Sequence, residues 1–145
     1  MITVISGGTG SPKLLQGLKR LIPQEEISVI VNTGEDVEVS GLHVSPDLDT
    51  VVYTLAGLID DEKWHGIRDD SFTIHDTLER LGHHEVLEVG DMDRAVQLFR
   101  TMRMREGVCL SEVTREICEG LDVKSKVLTM TDDRVITRVF ADGEE

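Results

Sequence analysis

The feature that most constrains the fold is a glycine-rich loop that directly follows a short apolar run at the start of the chain. Residues 2–5 are β-branched and mostly apolar, as in a buried strand, and the loop at residues 6–10 (SGGTG) ends this run. Ser11 and Pro12 suit the N-cap and first position of a helix, and leucines recur at helical spacing as far as Pro23. The sequence therefore predicts a strand, a tight loop and a helix in direct succession.

A second apolar run at residues 27–31 completes a strand–helix–strand unit, whose strands are parallel because such crossovers are right-handed. Periodicity predicts further helices and strands, the helices at residues 51–59, 71–81, 91–105 and 111–119, the strands at residues 127–130 and 135–140. Three glycines follow predicted helices where a left-handed cap would lie, namely Gly82, Gly107 and Gly120. We expect residues 1–145 to form a single α/β domain, or the N-terminal portion of a larger one.

Composition excludes several classes of partner. The chain has 28 acidic and 15 basic side chains and a net charge of -13, whereas nucleic-acid binding needs clustered Lys and Arg. No apolar run approaches the roughly 18 residues of a membrane span, and no secretory signal is present. We therefore expect a cytoplasmic chain with no nucleic-acid or membrane partner. Cys109 and Cys118 have no metal-spaced neighbours and are expected to be free thiols.

The glycine loop is also a candidate anion site. Backbone N–H groups exposed between a strand and a helix attract phosphate, and glycines let the ligand approach closely. The loop is not a dinucleotide fingerprint, because Lys13 stands at the third glycine position and Asn32 ends the second strand where an acid is expected. Phosphate binding with Lys13 as charge partner is the favoured interpretation, and a simple strand-to-helix turn is the alternative.

A carboxylate-rich segment follows the second strand. Residues 32–49 contain no Lys or Arg and carry five acids, Glu35, Asp36, Glu38, Asp47 and Asp49. Because this segment and the glycine loop both leave the carboxyl ends of adjacent parallel strands, they should border one crevice. Mg²⁺ would bridge such carboxylates to a phosphate. For Glu35 and Glu38 a solvated surface loop is the favoured interpretation, and for Asp47 and Asp49 helix capping is the alternative.

Taken in order, several segments resemble the signature segments of the 2-phospho-L-lactate transferase (CofD) family. They are residues 6–15 (SGGTGSPKLL), 32–36 (NTGED) and 45–53 (SPDLDTVVY), extended by residues 90–95 (GDMDRA) and 130–135 (MTDDRV). The combination of the glycine loop with the block around Pro46 is specific, whereas either alone is weak. The resemblance covers essentially all of this chain but only the N-terminal half of the family's length.

The resemblance implies a Rossmann-like parallel sheet flanked by helices, here incomplete at the C-terminus. It also implies a transferase of coenzyme F-420 biosynthesis that requires magnesium. Such an enzyme moves a phospholactyl or phosphoenolpyruvyl group from a guanosine diphosphate-linked lactate or enolpyruvate donor. The acceptor is the ribityl hydroxyl of 7,8-didemethyl-8-hydroxy-5-deazariboflavin, and GMP is released. We expect the 145-residue chain to bind weakly without transferring the group unaided, and a homodimer is the expected assembly.

Site residues follow from the same resemblance. It places Gly7, Gly8, Thr9, Gly10 and Lys13 at the phosphates. Asp49 would contact the deazaflavin, and Asp47 would lie near the metal or the hydroxyl, so both carboxylates are predicted as catalytic and as metal ligands. Asn32 and Glu88 complete the predicted binding set, although the family often has a basic residue at the position of Glu88.

Other interpretations compete with this one. A non-catalytic, nucleotide-sugar-binding regulator of the gluconeogenesis-factor type has a similar opening loop but lacks the block around Pro46. A nicotinamide-binding domain is disfavoured by Lys13 and Asn32, and an acidic loop that serves only solubility is the third alternative. Asp91, Asp93, Asp132 and Asp133 are lower-ranked candidates. Asp91 is also expected as an N-cap, and the Asp132-Asp133 pair as a turn.

Overall fold

The structure, a computed structural model, describes residues 1–138 and Phe140. Its strands are β1 (Ile2–Ser6), β2 (Ile27–Val31), β3 (Val37–Val39), β4 (Leu42–Val44) and β5 (Lys126–Thr129). Its helices are α1 (Gly10–Leu18), α2 (Pro46–Ala56), α3 (Thr73–Arg80), α4 (Asp91–Arg105) and α5 (Leu110–Gly120), and a 3-10 turn at Gln24–Glu26 precedes β2.

The central sheet has three strands in the order β1-β2-β5, and both pairings are parallel. Val4 lies opposite Val29, which lies opposite Val127, so the core-facing side chains of the three strands are in register. This arrangement confirms the predicted α/β class and its Rossmann-like parallel sheet. It also places the loops after β1, β2 and β5 at one edge, where the candidate site lies.

One face of the sheet forms the apolar core. Leu15 of α1, Val51 of α2 and Val113 of α5 are fully buried against the valines of the strands. The alternate residues of the strands point to the opposite face, where Ile5 is 83% exposed. Within the described residues, no helix is long and apolar enough to cross a membrane.

A short antiparallel hairpin within residues 37–44 was not predicted. Strands β3 and β4 pair from Val37 opposite Val44 to Val39 opposite Leu42. Ser40 and Gly41 connect them with φ values of 50° and 77°, as the tight two-residue turns of hairpins require. Three residues per strand are too few to show a period, so the sequence suggested only an irregular loop.

The predicted strand at residues 135–140 is wrong for the part that the structure describes. Residues 135–138 and Phe140 have no strand geometry, and Val139 lies outside the described residues. The Thr137 N–H donates to the carbonyl of Gly34 at 2.7 Å, but the described residues of this segment take part in no strand ladder. An apolar, β-branched run is therefore not sufficient for strand formation here.

Helix boundaries differ in informative ways. Helix α1 begins at Gly10 with Thr9 as N-cap, whereas Pro12 and Ser11 were predicted for these positions, and α2 begins at Pro46, several residues before the predicted start. Gly82 and Gly107 have the predicted positive φ angles. Gly120 does not, because α5 includes it and Asp122 adopts the left-handed conformation with φ of 58°.

The apolar side chains of α4 lie largely outside the core, although their spacing along the helix is typical of core positions. Leu98, Phe99 and Met102 are 48%, 41% and 52% exposed, whereas Met104 packs at the edge of the core. The side of α4 that turns inward instead carries Gln97 and Arg100, both 2% exposed. The buried contacts of this helix are therefore largely polar.

Candidate functional site

The glycine loop and the first turn of α2 meet through a direct hydrogen bond. The backbone N–H of Gly8 donates to Oδ1 of Asp47 at 3.0 Å. Gly8 has a φ of 62°, which favours glycine, and a Cβ on Gly7 would lie 3.7 Å from Oδ2 of Asp47. The sequence thus folds so that the loop after β1 and the carboxylate of α2 share one crevice, as predicted.

Asn32 holds this junction together. Its Nδ2 donates to Oδ2 of Asp47 at 2.9 Å, and its Oδ1 accepts the N–H of Gly34 at 3.1 Å. The N–H of Asn32 itself donates to the carbonyl of Ser6, continuing the β1–β2 pairing. A residue that ends β2 therefore fixes the glycine loop, α2 and the acidic segment relative to one another.

The position of Asp47 is not explained by capping of its own helix. Ser45 is the N-cap of α2 and makes no side-chain capping bond, and Pro46 provides the favourable first position. The Ser45 hydroxyl donates instead to Oδ2 of Asp36 at 2.8 Å, and Nε2 of His43 lies 2.8 Å from the same oxygen. Both acceptor atoms of Asp47 face the loop and Asn32 rather than α2.

Asp49 lies two residues further along α2 but faces another environment. Both of its carboxylate oxygens accept hydrogen bonds from the guanidinium of Arg100, whose Nη1 lies 3.2 Å from Oδ2. Arg100 is 2% exposed and Asp49 is 5% exposed, so the pair is buried. Burial lowers the pKa of Arg100, and the neighbouring Asp49 carboxylate more than reverses this, so that the pKa is raised.

A second buried carboxylate adjoins this pair. The hydroxyl of Tyr53 donates to Oδ1 of Asp93 at 2.7 Å, and Nε2 of Gln97 donates to the same atom at 3.3 Å. Burial, and next the charge of Asp49, raise the pKa of Asp93 to about 6. Burial also raises the pKa of Tyr53 well above its usual value. Helices α2 and α4 are therefore joined by a polar cluster behind the glycine-loop crevice.

Sequence reasoning missed Arg100. Its signal was the spacing of Asp93, Gln97 and Arg100, which places three polar side chains along one face of α4. That spacing is also typical of a solvated helix face, so it does not by itself predict an ion pair with Asp49. His43 was also missed, because its side chain comes close to its partner Asp36 only when the hairpin forms.

The chain is similar to known proteins over nearly all of its length. A family model described as 2-phospho-L-lactate transferase CofD matches residues 2–145. The chain belongs to the CofD family. It is 58% identical over 142 residues to the 2-phospho-L-lactate transferase of Methanopyrus kandleri and 53% identical over 141 residues to that of Methanocaldococcus jannaschii.

Each of these two alignments covers 97% of this chain and 45% of the relative. A third relative, the 2-phospho-L-lactate transferase of Methanocorpusculum labreanum, is 46% identical over 144 residues, which are 99% of this chain and 47% of that protein. The chain therefore spans about half the length of the curated relatives that it matches.

Within this CofD chain, the predicted site residues fall into two groups. The first, gathered at the crevice, comprises the glycine loop with Gly7 and Gly8, Asn32 and Asp47. Thr9 and Gly10 end the glycine loop as the N-cap and first residue of α1, and Lys13 lies in the first turn of this helix with Nζ 5.4 Å from the ring centroid of Trp64.

The second group lies elsewhere. Asp49 faces Arg100, as described above. Glu88 borders a small cavity of about 40 Å³, together with Lys63, His65 and Asp93. The lower-ranked candidate Asp91 is not the N-cap of α4, a position held by Gly90. Its carboxylate instead accepts the N–H groups of Thr73 and Ile74 and so caps α3.

Asp132 and Asp133 form the predicted bend after β5. The carboxylate of Asp132 accepts the N–H and hydroxyl of Ser111 at 2.7 and 2.8 Å, so it caps α5. Among residues 1–138 and Phe140, no group of three or more His, Cys, Asp or Glu side chains is arranged to hold a metal ion by itself.

Two clefts open beside the acidic segment. One, of about 590 Å³, lies between the hairpin and residues 83–87 and extends to Pro46 and Asp47. The other, of about 360 Å³, is bordered by Thr33, His43 and residues 132–136. Both volumes lie within the range of small-molecule sites, and the first reaches the carboxylate that contacts the glycine loop.

Proposed function

We propose that this CofD chain contributes the phosphate-binding part of a phospholactyl or phosphoenolpyruvyl transferase of coenzyme F-420 biosynthesis. The donor would be a guanosine diphosphate-linked lactate or enolpyruvate, and the acceptor the ribityl hydroxyl of 7,8-didemethyl-8-hydroxy-5-deazariboflavin, with release of GMP. The observation that carries the proposal is the contact between Gly8 and Asp47, which joins the glycine loop to the acidic segment. Membership of a family whose relatives are named 2-phospho-L-lactate transferase supports it.

The polar atoms of the crevice suit a phosphate. N–H groups at the start of α1 would be donors on one side, and the ammonium of Lys13, in the first turn of that helix, would be the charge partner. The hydroxyls of Ser6 and Thr33, at the ends of β1 and β2, are buried and have no hydrogen-bond partner among the described residues. Buried hydroxyls are costly when unpaired, so a ligand oxygen within reach of them would be favoured.

The negative charges of Asp47 and of a bound phosphate lead us to include a cation in the proposal. A helix N-terminus contributes about 0.3 to 1 kcal/mol to anion binding, and about 2 at best. The Asp47 carboxylate contacts the same loop, and two unit charges 4 Å apart repel by roughly 4 kcal/mol at an effective dielectric constant of about 20. A nucleoside diphosphate would therefore bind poorly beside Asp47 unless a cation neutralised the pair.

We propose Mg²⁺ as that cation and Asp47 as its carboxylate ligand. The donor set fits, because Mg²⁺ commonly takes one or two carboxylates together with substrate phosphates and water. Each oxygen of Asp47 accepts one hydrogen bond and retains a second lone pair for a metal. When bound, the ion would supply charge neutralisation at the transferred phosphoryl group.

A role of Asp49 as metal ligand, base or deazaflavin contact remains a prediction. Its pairing with Arg100 limits how a ligand could reach it. Both of its oxygens accept hydrogen bonds from Arg100 and the carboxylate is buried, so a ligand would have to reach the interior and share these oxygens with the guanidinium. The ion pair holds α2 against α4 and thereby fixes the first turn that carries Asp47. Asp49→Asn should then slow transfer by an enzyme that contains this chain, even at saturating concentrations of both substrates.

The larger cleft is the proposed acceptor site. Its walls include apolar side chains from the hairpin and from residues 83–87, which suit the flat deazaflavin ring, and it ends at Asp47. Phosphoryl transfer depends mainly on positioning and charge neutralisation. Here the glycine loop would bind the phosphate oxygens, Asn32 would orient Asp47, and the cleft would align the acceptor hydroxyl.

The test is a calorimetric titration of the 145-residue chain with GDP, the deazaflavin and a UDP-sugar, each with and without Mg²⁺. We expect GDP to bind with Mg²⁺ and much more weakly without it. Asp47→Asn should weaken binding with Mg²⁺ and remove most of the dependence on the ion. Glu25→Gln makes the same charge change in the turn before β2, at the opposite edge of the sheet, and should behave as wild type.

Three outcomes would contradict the proposal. They are equal GDP affinity with and without Mg²⁺, no GDP binding at all, and preferential binding of the UDP-sugar. The last outcome would favour the nucleotide-sugar-binding regulator instead.

A further inference from the structure

Trp64 is the only tryptophan of the chain, and its ring lies against the ammonium of Lys13. The distance of 5.4 Å from Nζ to the ring centroid is within the range of a cation–π contact. Lys13 belongs to the first turn of α1, directly after the glycine loop. The described apolar core does not include Trp64, so core packing does not account for the position of this ring.

The loop that carries Trp64 is held in one shape by its own hydrogen bonds. Ile59 and Ile67 form an antiparallel bridge, and within it the N–H of Trp64 donates to the carbonyl of Asp60 at 2.7 Å. The Asp60 carboxylate accepts the N–H groups of Glu62 and Lys63. The indole is thus presented by an ordered loop.

The backbone at Trp64 adopts a conformation that such a residue normally avoids. Its φ angle is 61°, in the left-handed region, where a bulky side chain is an outlier. Strain of this kind persists where the surrounding structure imposes it, and it concentrates at binding sites. In this strained conformation, the ring of Trp64 lies against Lys13.

We propose that Trp64 is a positioning residue that holds the Lys13 ammonium for a phosphate at the glycine loop. A free lysine side chain samples many rotamers, and the ring restricts Lys13 before the ligand arrives. This inference rests on the proposed function, because it assumes that the loop binds a nucleoside diphosphate with Mg²⁺. It adds that the aromatic ring acts through Lys13.

The test is a double-mutant cycle measured as GDP affinity in the presence of Mg²⁺. Trp64→Leu should weaken binding about 2- to 5-fold, the range expected for a cation–π contact at a partly exposed site. Trp64→Phe should restore part of the affinity because it keeps a ring. In the Lys13→Met background, Trp64→Leu should have no further effect, since there is no ammonium left to position.

A matched control uses the next lysine in this region. Lys63→Met removes the same charge from the Trp64 loop, where Nζ lies over the ring of Phe72 at 6.0 Å, and should leave GDP affinity unchanged. Tryptophan fluorescence gives a second readout, because all of it comes from Trp64. GDP with Mg²⁺ should change this emission in the wild type and not in Lys13→Met.

The outcomes separate the two proposals. If the wild type binds GDP and Trp64→Leu binds it equally well or better, the positioning role is wrong while the phosphate site stands. An equal loss in the Lys13→Met background would show that Trp64 acts on the fold and not through Lys13, which also overturns the inference. If the wild type does not bind GDP, the proposed function and this inference fail together. Circular dichroism of each variant identifies any that is unfolded, and Trp64→Phe then replaces Trp64→Leu in the cycle.

Discussion

The N–H of Gly8 and the carboxylate of Asp47 form a 3.0 Å hydrogen bond between residues 39 positions apart in the chain. The contact satisfies a loop donor with a side chain from another element, and Asn32 donates to the other oxygen of the same carboxylate. A loop built only as a tight turn would not need this carboxylate. The carboxylate that is proposed to bind the ligand therefore also stabilises the crevice.

Asn32→Ala should destabilise the chain by about 1 to 3 kcal/mol, because Oδ2 of Asp47 and the Gly34 N–H each lose the hydrogen bond that Asn32 makes to them. The free energy of unfolding in urea measures this. GDP affinity in Mg²⁺ should fall as well, since Asp47 loses its orientation. An unchanged midpoint with unchanged affinity would contradict the role of Asn32 at this junction.

Arg100→Met should cost about 3 to 5 kcal/mol, because it leaves the buried Asp49 carboxylate unpaired. The double variant Arg100→Met with Asp49→Asn should recover much of that loss by removing the uncompensated charge. Arg115→Met is the matched control, since Arg115 is exposed and its solvent-screened pairs with Glu112 and Glu119 should contribute little to stability. Equal losses of stability for Arg100→Met and Arg115→Met would contradict the larger effect that we expect for the buried pair.

Asp93 and Glu85 should give opposite pH dependences. Burial and then Asp49 raise the pKa of Asp93 to about 6 from an ordinary 3.8, so its stabilising contribution is complete below about pH 4 and is lost as pH rises towards 6. Asp93→Asn should therefore remove a decline in stability between these pH values. Urea titrations of both proteins at half-unit pH steps provide the measurement, and superimposable curves would exclude this role of Asp93.

Glu85 titrates in the other direction. Burial raises its pKa, but hydrogen bonds led by that from Arg94 outweigh burial and hold the pKa at about 2. Its contribution to stability is therefore present above about pH 4.5 and is lost as pH falls towards 2. Glu85→Gln should be less stable than wild type at pH 7, and the difference should shrink on acidification. A difference that stays constant down to pH 2 would contradict this assignment.

Gly90→Ala should be destabilising through a steric effect. A Cβ on Gly90 would lie 2.2 Å from Oδ2 of Asp70, whose carboxylate caps α4 by accepting the N–H groups of Met92 and Asp93. Loss of a cap costs about 0.5 to 2 kcal/mol, which thermal unfolding can detect. Gly120→Ala is the control, because a Cβ there meets open space within α5, and it should be neutral or slightly stabilising.

The sequence by itself determined the elements with strong local signals. The β-branched runs at β1 and β2, the glycine loop and the leucine spacing of α1 specify a strand–helix–strand unit, and right-handed crossover then makes its strands parallel. That topology was enough to place the glycine loop and the acidic segment at one sheet edge. For this reason, the proximity of the segments that carry Gly8 and Asp47 could be predicted from the sequence.

Only the tertiary structure decided which carboxylate faces that edge. Asp47 and Asp49 are separated by one residue, yet one contacts the loop and the other pairs with Arg100, 51 positions further along the chain. Sequence spacing assigns both to the same helical turn, but which side of that turn is buried depends on how α4 packs against α2. The same packing leaves Leu98 and Phe99 exposed. The inward face of α4 carries the arginine that pairs with Asp49, and local periodicity does not predict which face this is.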